Sequence, residues 1–190
     1  MIHLPLNLSA NLALLPQTLA SGILFGLVLA LVSAGLALIW GVADIVNFAH
    51  GEYMLIAMYA TIVVTGSSGL DPLYLVPVNG ALLFVCGYAT YRLVIKRAME
   101  GPMLAQIFST FALLLILRYG MFFVFGPSAR SVDEFMLDGT SLVGGIVISH
   151  SRGVTAAVSL VALAVLAVFL NRTKTGQAIR AIEEDREVAQ

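Results

Sequence analysis

The stretch LASGILFGLVLALVSAGLALIW (residues 19–40) contains no charged side chain and consists almost entirely of apolar and small residues. A helix of about 20 such residues crosses the hydrocarbon core of a bilayer. Asp, Glu, Lys and Arg are absent from residues 1–43, so the chain lacks the positively charged start of a cleaved signal peptide. We therefore expect a retained membrane-spanning helix over residues 19–40.

The whole composition is that of an integral membrane protein. Of the 190 residues, 59% are hydrophobic and 11% are charged, and the mean hydropathy is +0.96. This is too little charge to cover a water-facing globule, and a formal net charge of −1 gives no sign of a nucleic-acid partner. The pattern predicts one all-α, multi-pass transmembrane helix bundle over residues 1–190, with about five spans: 19–40, 45–65, 73–95, 104–125 and 154–170.

Basic residues predict the orientation of this bundle. Lys and Arg gather in two clusters, one before the fourth span and one after the fifth, and such clusters favour the cytoplasmic side: Arg92, Lys96, Arg97, Arg172, Lys174, Arg180 and Arg186. The loop between these spans carries Arg130 against three acids, Asp133, Glu134 and Asp138, which suits the outer side. Alternation of the spans then places the N-terminus outside.

The outer loop contains one readable element. TSLVGGIVIS (Thr140 to Ser149) places two short apolar runs around Gly144-Gly145, a pair that permits a tight turn with positive φ. We expect a small β-hairpin on the outer face, with a re-entrant segment as the competing interpretation. In the first span Gly22, Gly26, Ala30 and Ala34 recur every four residues, and we interpret this stripe as ordinary helix packing.

Polar residues interrupt the apolar pattern between the first two spans. GVADIVNFAHGEYML (Gly41 to Leu55) brings Asp44, Asn47, His50 and Glu52 to a depth where a charge is costly. Gly51 invites a break in the helix, and a discontinuous helix exposes backbone groups to a solute route. We name Asn47, His50, Gly51 and Glu52 as the candidate translocation path. The alternative is a helix start at the cytoplasmic surface, with Asn47 or Asp44 as N-cap.

A catalytic role for these residues has little support. A metalloprotease helix would need a second His four residues after the first, whereas His150 lies about a hundred residues after His50. Neither a Gly-x-Ser-x-Gly elbow nor a phosphate-binding GxxxxGK[ST] loop is present. We therefore expect no enzyme activity, metal or cofactor. Arg118, about seven residues from the outer end of the fourth span, is more readily explained by snorkelling or by a carboxylate partner than by a substrate clamp.

The end of the chain differs from everything before it. TKTGQAIRAIEEDREVAQ (Thr173 to Gln190) is charged, contains no proline and carries apolar residues on one side, which predicts an amphipathic cytoplasmic helix over about 176–190. A helix lying on lipid headgroups is the competing interpretation, but its acidic cluster would be repelled by an anionic leaflet.

Two motifs resemble one family. VADIVNFAHGEYMLIAMY (Val42 to Tyr59) looks like the "INFAHGE" signature of Liv-type permeases, the membrane subunits of branched-chain amino-acid ABC transporters. RTKTGQAIRAIEEDREVAQ (Arg172 to Gln190) resembles their cytoplasmic coupling loop, and IFSTFALLLILRYGMFFVFG (Ile107 to Gly126) is similar to their fourth-span region.

The resemblance implies an importer in the bacterial inner membrane. Its expected partners are two ABC ATPase subunits, a second permease subunit, a periplasmic solute-binding protein and the lipid bilayer. The terminal helix would be the coupling helix, and its expected ATPase contacts are Gly176, Arg180, Ala181, Glu184, Asp185 and Ala189. Liv-type permeases continue beyond this loop, so we expect this chain to be the N-terminal part of a longer permease. The alternatives are a permease for urea or short-chain amides and a non-transporting membrane assembly fragment.

Overall fold

The computed structural model describes residues 8–132 and 137–184, with side chains left out at 8–11, 13 and 182–184. Most of this chain is helical, and the elements follow in this order: α1 (Leu8–Ala43), α2 (His50–Ser68), a 3₁₀-helix (Pro72–Leu75), α3 (Val76–Thr90), a π-helical turn (Tyr91–Ile95), α4 (Lys96–Ala98), α5 (Met103–Phe125), β1 (Thr140–Val143), β2 (Ile146–Ser149), α6 (His150–Arg172) and α7 (Lys174–Glu184).

Within the described residues, four helical stretches are long and apolar enough to cross a membrane: Leu14–Ala43, Pro72–Ala98, Met103–Phe125 and His150–Arg172. They coincide with four of the five expected spans, which confirms a multi-pass helical bundle. The expected second span, 45–65, corresponds to α2, whose 19 residues begin only at His50. Its expected start was wrong because residues 44–49 leave the helical conformation.

The chain divides into two compact units, Met1–Gly35 with Leu137–Arg180 and Leu36–Met136 with Ala181–Gln190. In the first unit the expected hairpin is present. β1 and β2 pair antiparallel, with Thr140 opposite Ser149 and Val143 opposite Ile146. Gly144 and Gly145 have φ of 59° and 84°, the conformation that a two-residue hairpin turn requires.

The hairpin is fastened to α1 through one side chain. The amide nitrogen of Gln17 donates to the carbonyl of Val147 at 2.9 Å, and the Val147 amide donates to the Gln17 side-chain oxygen at 2.8 Å. Gln17 thus pairs both backbone groups of one residue, as a neighbouring strand would.

Most of the best-buried residues of the second unit lie at residues 44–49 or at the helix positions beside them. Most large apolar side chains of its helices are exposed, as expected for surfaces that face lipid or partner subunits. Burial concentrates around residues 44–49 instead: Ile45, Asn47, Ala49, Glu52 and Thr110 are each at most 4% exposed. Three of these five are polar, so hydrogen-bonded groups form a large part of the packing around residues 44–49.

Candidate translocation site and coupling elbow

Residues 44–49, here called the break, separate α1 from α2. Asp44 ends α1: its backbone amide donates to the Trp40 carbonyl at 2.8 Å, and its φ of 56° lies in the left-handed region. Asp is one of the few residues other than glycine that tolerate this conformation. Gly51 lies inside the first turn of α2, so the chain breaks upstream of the position where the sequence predicted a break.

Asn47 shapes the entry to α2. Its side-chain oxygen accepts from the Ala49 amide at 3.1 Å, and its backbone carbonyl accepts from the His50 amide at 3.1 Å. Ala49 occupies the N-cap position and offers no side-chain cap. Asn47 therefore acts through a turn just before the helix, whereas Asp44, the other suggested N-cap, terminates the preceding helix.

Three contacts fix the depth of the break against α5. The Thr110 hydroxyl donates to the Val46 carbonyl at 3.2 Å, Arg118 pairs with Glu52, and the Tyr59 ring stacks on Phe125 at a centroid distance of 4.3 Å. In these three contacts the residue numbers rise in the same order on both sides, from Val46 to Tyr59 and from Thr110 to Phe125. The two helices α2 and α5 therefore run in the same direction.

This register places the break beside the middle of α5. Thr110 and Arg118 each lie seven residues from an end of the helix Met103–Phe125, or roughly 10 Å at 1.5 Å per residue. The start of α2 therefore lies well inside the depth of α5. This arrangement favours the discontinuous-helix interpretation over a helix start at the cytoplasmic surface.

Arg118 and Glu52 form an ion pair at this depth. Nε and Nη2 of Arg118 both donate to Oε1 of Glu52, the former at 3.0 Å. The side chain of Glu52 is 6% exposed and that of Arg118 is 51% exposed. Of the interpretations offered for Arg118, the structure therefore shows the carboxylate-paired one.

Two cavities flank the break. The larger, about 650 Å³, is almost wholly apolar and lies against α3 and the π-helical turn, with Asn47 and His50 in its lining. The smaller, about 260 Å³, lies against the start of α5, with Asp44 and Val46 in its lining. Ala43, the last residue of α1, lines both. Both cavities therefore border the end of α1 and the break.

The wall of the larger cavity includes an irregular helix. The Tyr53 hydroxyl donates to Thr90 Oγ1 at 2.7 Å, and the chain passes directly from Thr90 into the π-helical turn. Such π-helical insertions are rare and occur frequently at functional sites.

A second candidate element lies in the first unit, where α6 meets α7. The Gly176 amide donates to Thr173 Oγ1 at 2.9 Å, and the Thr173 hydroxyl donates to the Phe169 carbonyl at 2.8 Å. Gly176 is buried, and a Cβ atom added there would lie 2.3 Å from the Phe169 carbonyl oxygen. Arg180 donates to the Asn171 side-chain oxygen at 2.6 Å. We call this arrangement the coupling elbow.

Several of the expected ATPase contacts lie in or next to the coupling elbow. Gly176 and Arg180 are engaged with the end of α6, whereas Ala181 is exposed. Glu184 is the last described residue of α7, and Asp185 and Ala189 lie outside the described residues.

Residues 18–190 match the family described as "Branched-chain amino acid transport system / permease component". The chain belongs to this permease family. Family membership and the four long apolar helices agree with the expected inner-membrane, multi-pass location, and transport permeases are not enzymes.

Curated permeases are similar to the chain at low identity. The high-affinity branched-chain amino acid transport system permease protein BraD of Pseudomonas aeruginosa is 27% identical over 181 residues, covering 89% of this chain and 59% of BraD. The corresponding LivH proteins of Escherichia coli K12 and Salmonella typhimurium are 26% and 23% identical, each covering 91% of this chain and 60% of the relative. The chain thus spans about 60% of the length of these relatives. No solved structure matches it significantly.

The small-residue stripe of α1 (Gly22, Gly26, Ala30 and Ala34) is not packed against another helix among the described residues of this permease. A Cβ added at Gly22 or Gly26 would meet no described atom within 4 Å, and Ala30 is exposed while Ala34 is half-buried. Helix packing at this stripe stays a prediction, and it would involve another helix surface.

Sequence reasoning missed Thr110, which is fully buried and ties the break of this permease to α5. A lone threonine in an apolar span carries little signal. The sequence signal for the Glu52–Arg118 pair was clearer, because two opposite charges in otherwise apolar stretches require partners.

Proposed function

We propose that the chain is the membrane-spanning permease subunit of an ABC importer that moves branched-chain amino acids across the bacterial inner membrane. The observation that carries this proposal is the break at interior depth, flanked by two cavities and supported by an ion pair. Family membership and the names of the curated relatives support the solute class.

The break supplies the features that a solute route needs. Unwound backbone offers polar groups at a depth where regular helices offer none. The apolar wall of the 650 Å³ cavity suits an aliphatic side chain, and Asn47 and His50 supply polar contacts at its edge. Asn47, His50, Gly51 and Glu52 remain our candidates for the path, and the break is the segment beside which solute would pass.

Filling the larger cavity will slow transport. Gly87 on α3 lines this cavity, and an added Cβ there would meet no atom within 4 Å, so Gly87→Leu can be accommodated while its side chain occupies the route. We expect leucine uptake by the complete transporter to fall roughly tenfold, the effect of an obstruction of about 1.4 kcal/mol.

Gly80 provides a matched control for this experiment. It lies two turns earlier on the same face of α3, is equally unobstructed and does not line the cavity. Gly80→Leu makes the same chemical change and should leave uptake near wild type. Equal uptake by the two variants would contradict the proposed route.

The proposed source of work is an ATPase subunit that docks on α7. The sequence holds no nucleotide-binding loop, and the coupling elbow joins α7 to α6 through hydrogen bonds of Thr173 and Arg180. A rigidly held helix can transmit movement from a docked partner to α6. A second permease subunit and a periplasmic solute-binding protein complete the proposed assembly.

A charge on the exposed side of α7 will weaken this docking. We expect Ala181→Glu to reduce co-purification of the ATPase subunit by roughly tenfold, since a buried interface tolerates an unpaired carboxylate poorly. Thr175→Glu, an exposed position about 120° around the helix, is the control and should retain the subunit. If both variants retain it equally, Ala181 is not part of the docking surface.

A further inference from the structure

The Glu52–Arg118 pair is unevenly enclosed. The Glu52 side chain is 6% exposed, whereas half of the Arg118 side chain is open, at the depth of the middle of α5. A guanidinium that is open at membrane depth must face a polar partner, water or a solute.

The pair also leaves a hydrogen-bonding edge free on each partner. Both donors of Arg118 converge on Oε1 of Glu52. In the part of the chain that the structure describes, no group bonds to Oε2 of Glu52 or to Nη1 of Arg118. One acceptor of Glu52 and one donor group of Arg118 are therefore unused, close to the break.

We propose that Glu52 and Arg118 bind the charged head group of a free α-amino acid, with the ammonium on Glu52 and the carboxylate on Arg118. This inference rests on the proposed function and specifies the solute as a zwitterion. The head group carries an ammonium and a carboxylate on the same carbon atom, and these are the charges complementary to Glu52 and to Arg118. The aliphatic side chain is then free to lie against the apolar surroundings of the break.

Charge balance explains why an ion pair is suited to this task. When a neutral ion pair binds a neutral zwitterion, the net charge at membrane depth stays zero. A solute with only an ammonium or only a carboxylate adds a net charge there. Urea and short-chain amides carry neither charge and cannot make these contacts.

Competition binding with three probes tests the proposal. The complete permease–ATPase complex is purified without the solute-binding protein and titrated with leucine, with leucinamide, which lacks the carboxylate, and with isocaproate, which lacks the ammonium. Wild type should prefer leucine to both analogues by roughly tenfold or more, the worth of one charge-assisted hydrogen bond.

Each substitution should erase one preference only. Glu52→Gln removes the partner of the ammonium, so leucine and isocaproate should bind equally, while the preference over leucinamide persists. Arg118→Gln should give the opposite result. Gly80→Leu is the control, because this position is unobstructed and does not line the cavity beside the break, so it should leave both preferences unchanged.

The remaining outcomes overturn the proposal. If Glu52→Gln and Arg118→Gln change the affinity of all three probes by one common factor, the pair is only a structural lock. Undetectable leucine binding by the wild-type complex also counts against it, because a preformed recognition pair binds without the receptor. Leucine uptake by the full system is measured in parallel, since its absence would refute the proposed function itself, whereas uptake with unaltered preferences would refute only the role of the pair.

Discussion

Replacing Gly176 with alanine will uncouple the transporter by forcing α7 away from α6. The new Cβ would lie 2.3 Å from the Phe169 carbonyl oxygen and 2.6 Å from the Leu170 Cα. Both atoms belong to the backbone of α6 and cannot rotate aside as a flexible side chain would. We expect a local cost of about 1–3 kcal/mol, typical of overpacking, and loss of the hydrogen bond from the Gly176 amide to Thr173.

The measurements are ATPase co-purification and solute-stimulated ATP hydrolysis by the complete complex. We expect hydrolysis to become independent of solute, because α7 would no longer hold a fixed angle to α6. Gly80→Ala is the matched control: it adds the same methyl group to a helix, meets no atom within 4 Å and should be neutral or slightly stabilising. Solute-stimulated hydrolysis at the wild-type level in Gly176→Ala would show that the elbow does not transmit movement.

Local features were predictable from the sequence. The hairpin follows from Gly144-Gly145 between two short apolar runs, because a two-residue turn depends on its own residues more than on distant packing. The apolar spans follow equally directly from hydropathy. Gly176 was recognised as part of a motif, but its burial against Phe169 depends on the angle between two helices, which the pattern alone does not give.

The site itself required the packing of distant segments. The sequence predicted the break at Gly51 because glycine is the usual residue at a discontinuity in a helix. The chain turns at Asp44 instead, and a positive φ at a non-glycine residue has no reliable sequence signature. The depth of the break depends on how α2 is aligned against α5. That alignment is set by contacts such as Val46 with Thr110, between residues far apart in sequence.

The same alignment brings together two charges that the sequence could only mark as needing partners. Glu52 and Arg118 lie in separate helices, and a shift of α2 by one turn, about 5.4 Å, would part them. The two charges are therefore paired only when α2, and with it the break, lies in this position against α5. Removing one charge should consequently be far more damaging than removing both.

Arg118→Met will destabilise the complex more than the double substitution Glu52→Met and Arg118→Met. The single change leaves the buried Glu52 carboxylate without its partner, which costs about 3–5 kcal/mol for a broken buried pair. The double change replaces the pair with apolar side chains of comparable length and should be close to neutral. Thermal unfolding of the purified complex and the yield of assembled protein measure both effects.

A double-mutant cycle separates the interaction between the two side chains from their individual effects. Its remaining variant is Glu52→Met. Because Arg118 is half exposed, it can find water or another anion when Glu52 is lost, so Glu52→Met should cost less than Arg118→Met. Because the double variant is expected to be near neutral, the interaction energy should be about as large as the two single losses together, at least about 3 kcal/mol. Additive losses in the double variant would mean that the two side chains act independently, and the ion pair would then hold neither the break nor α2 in place.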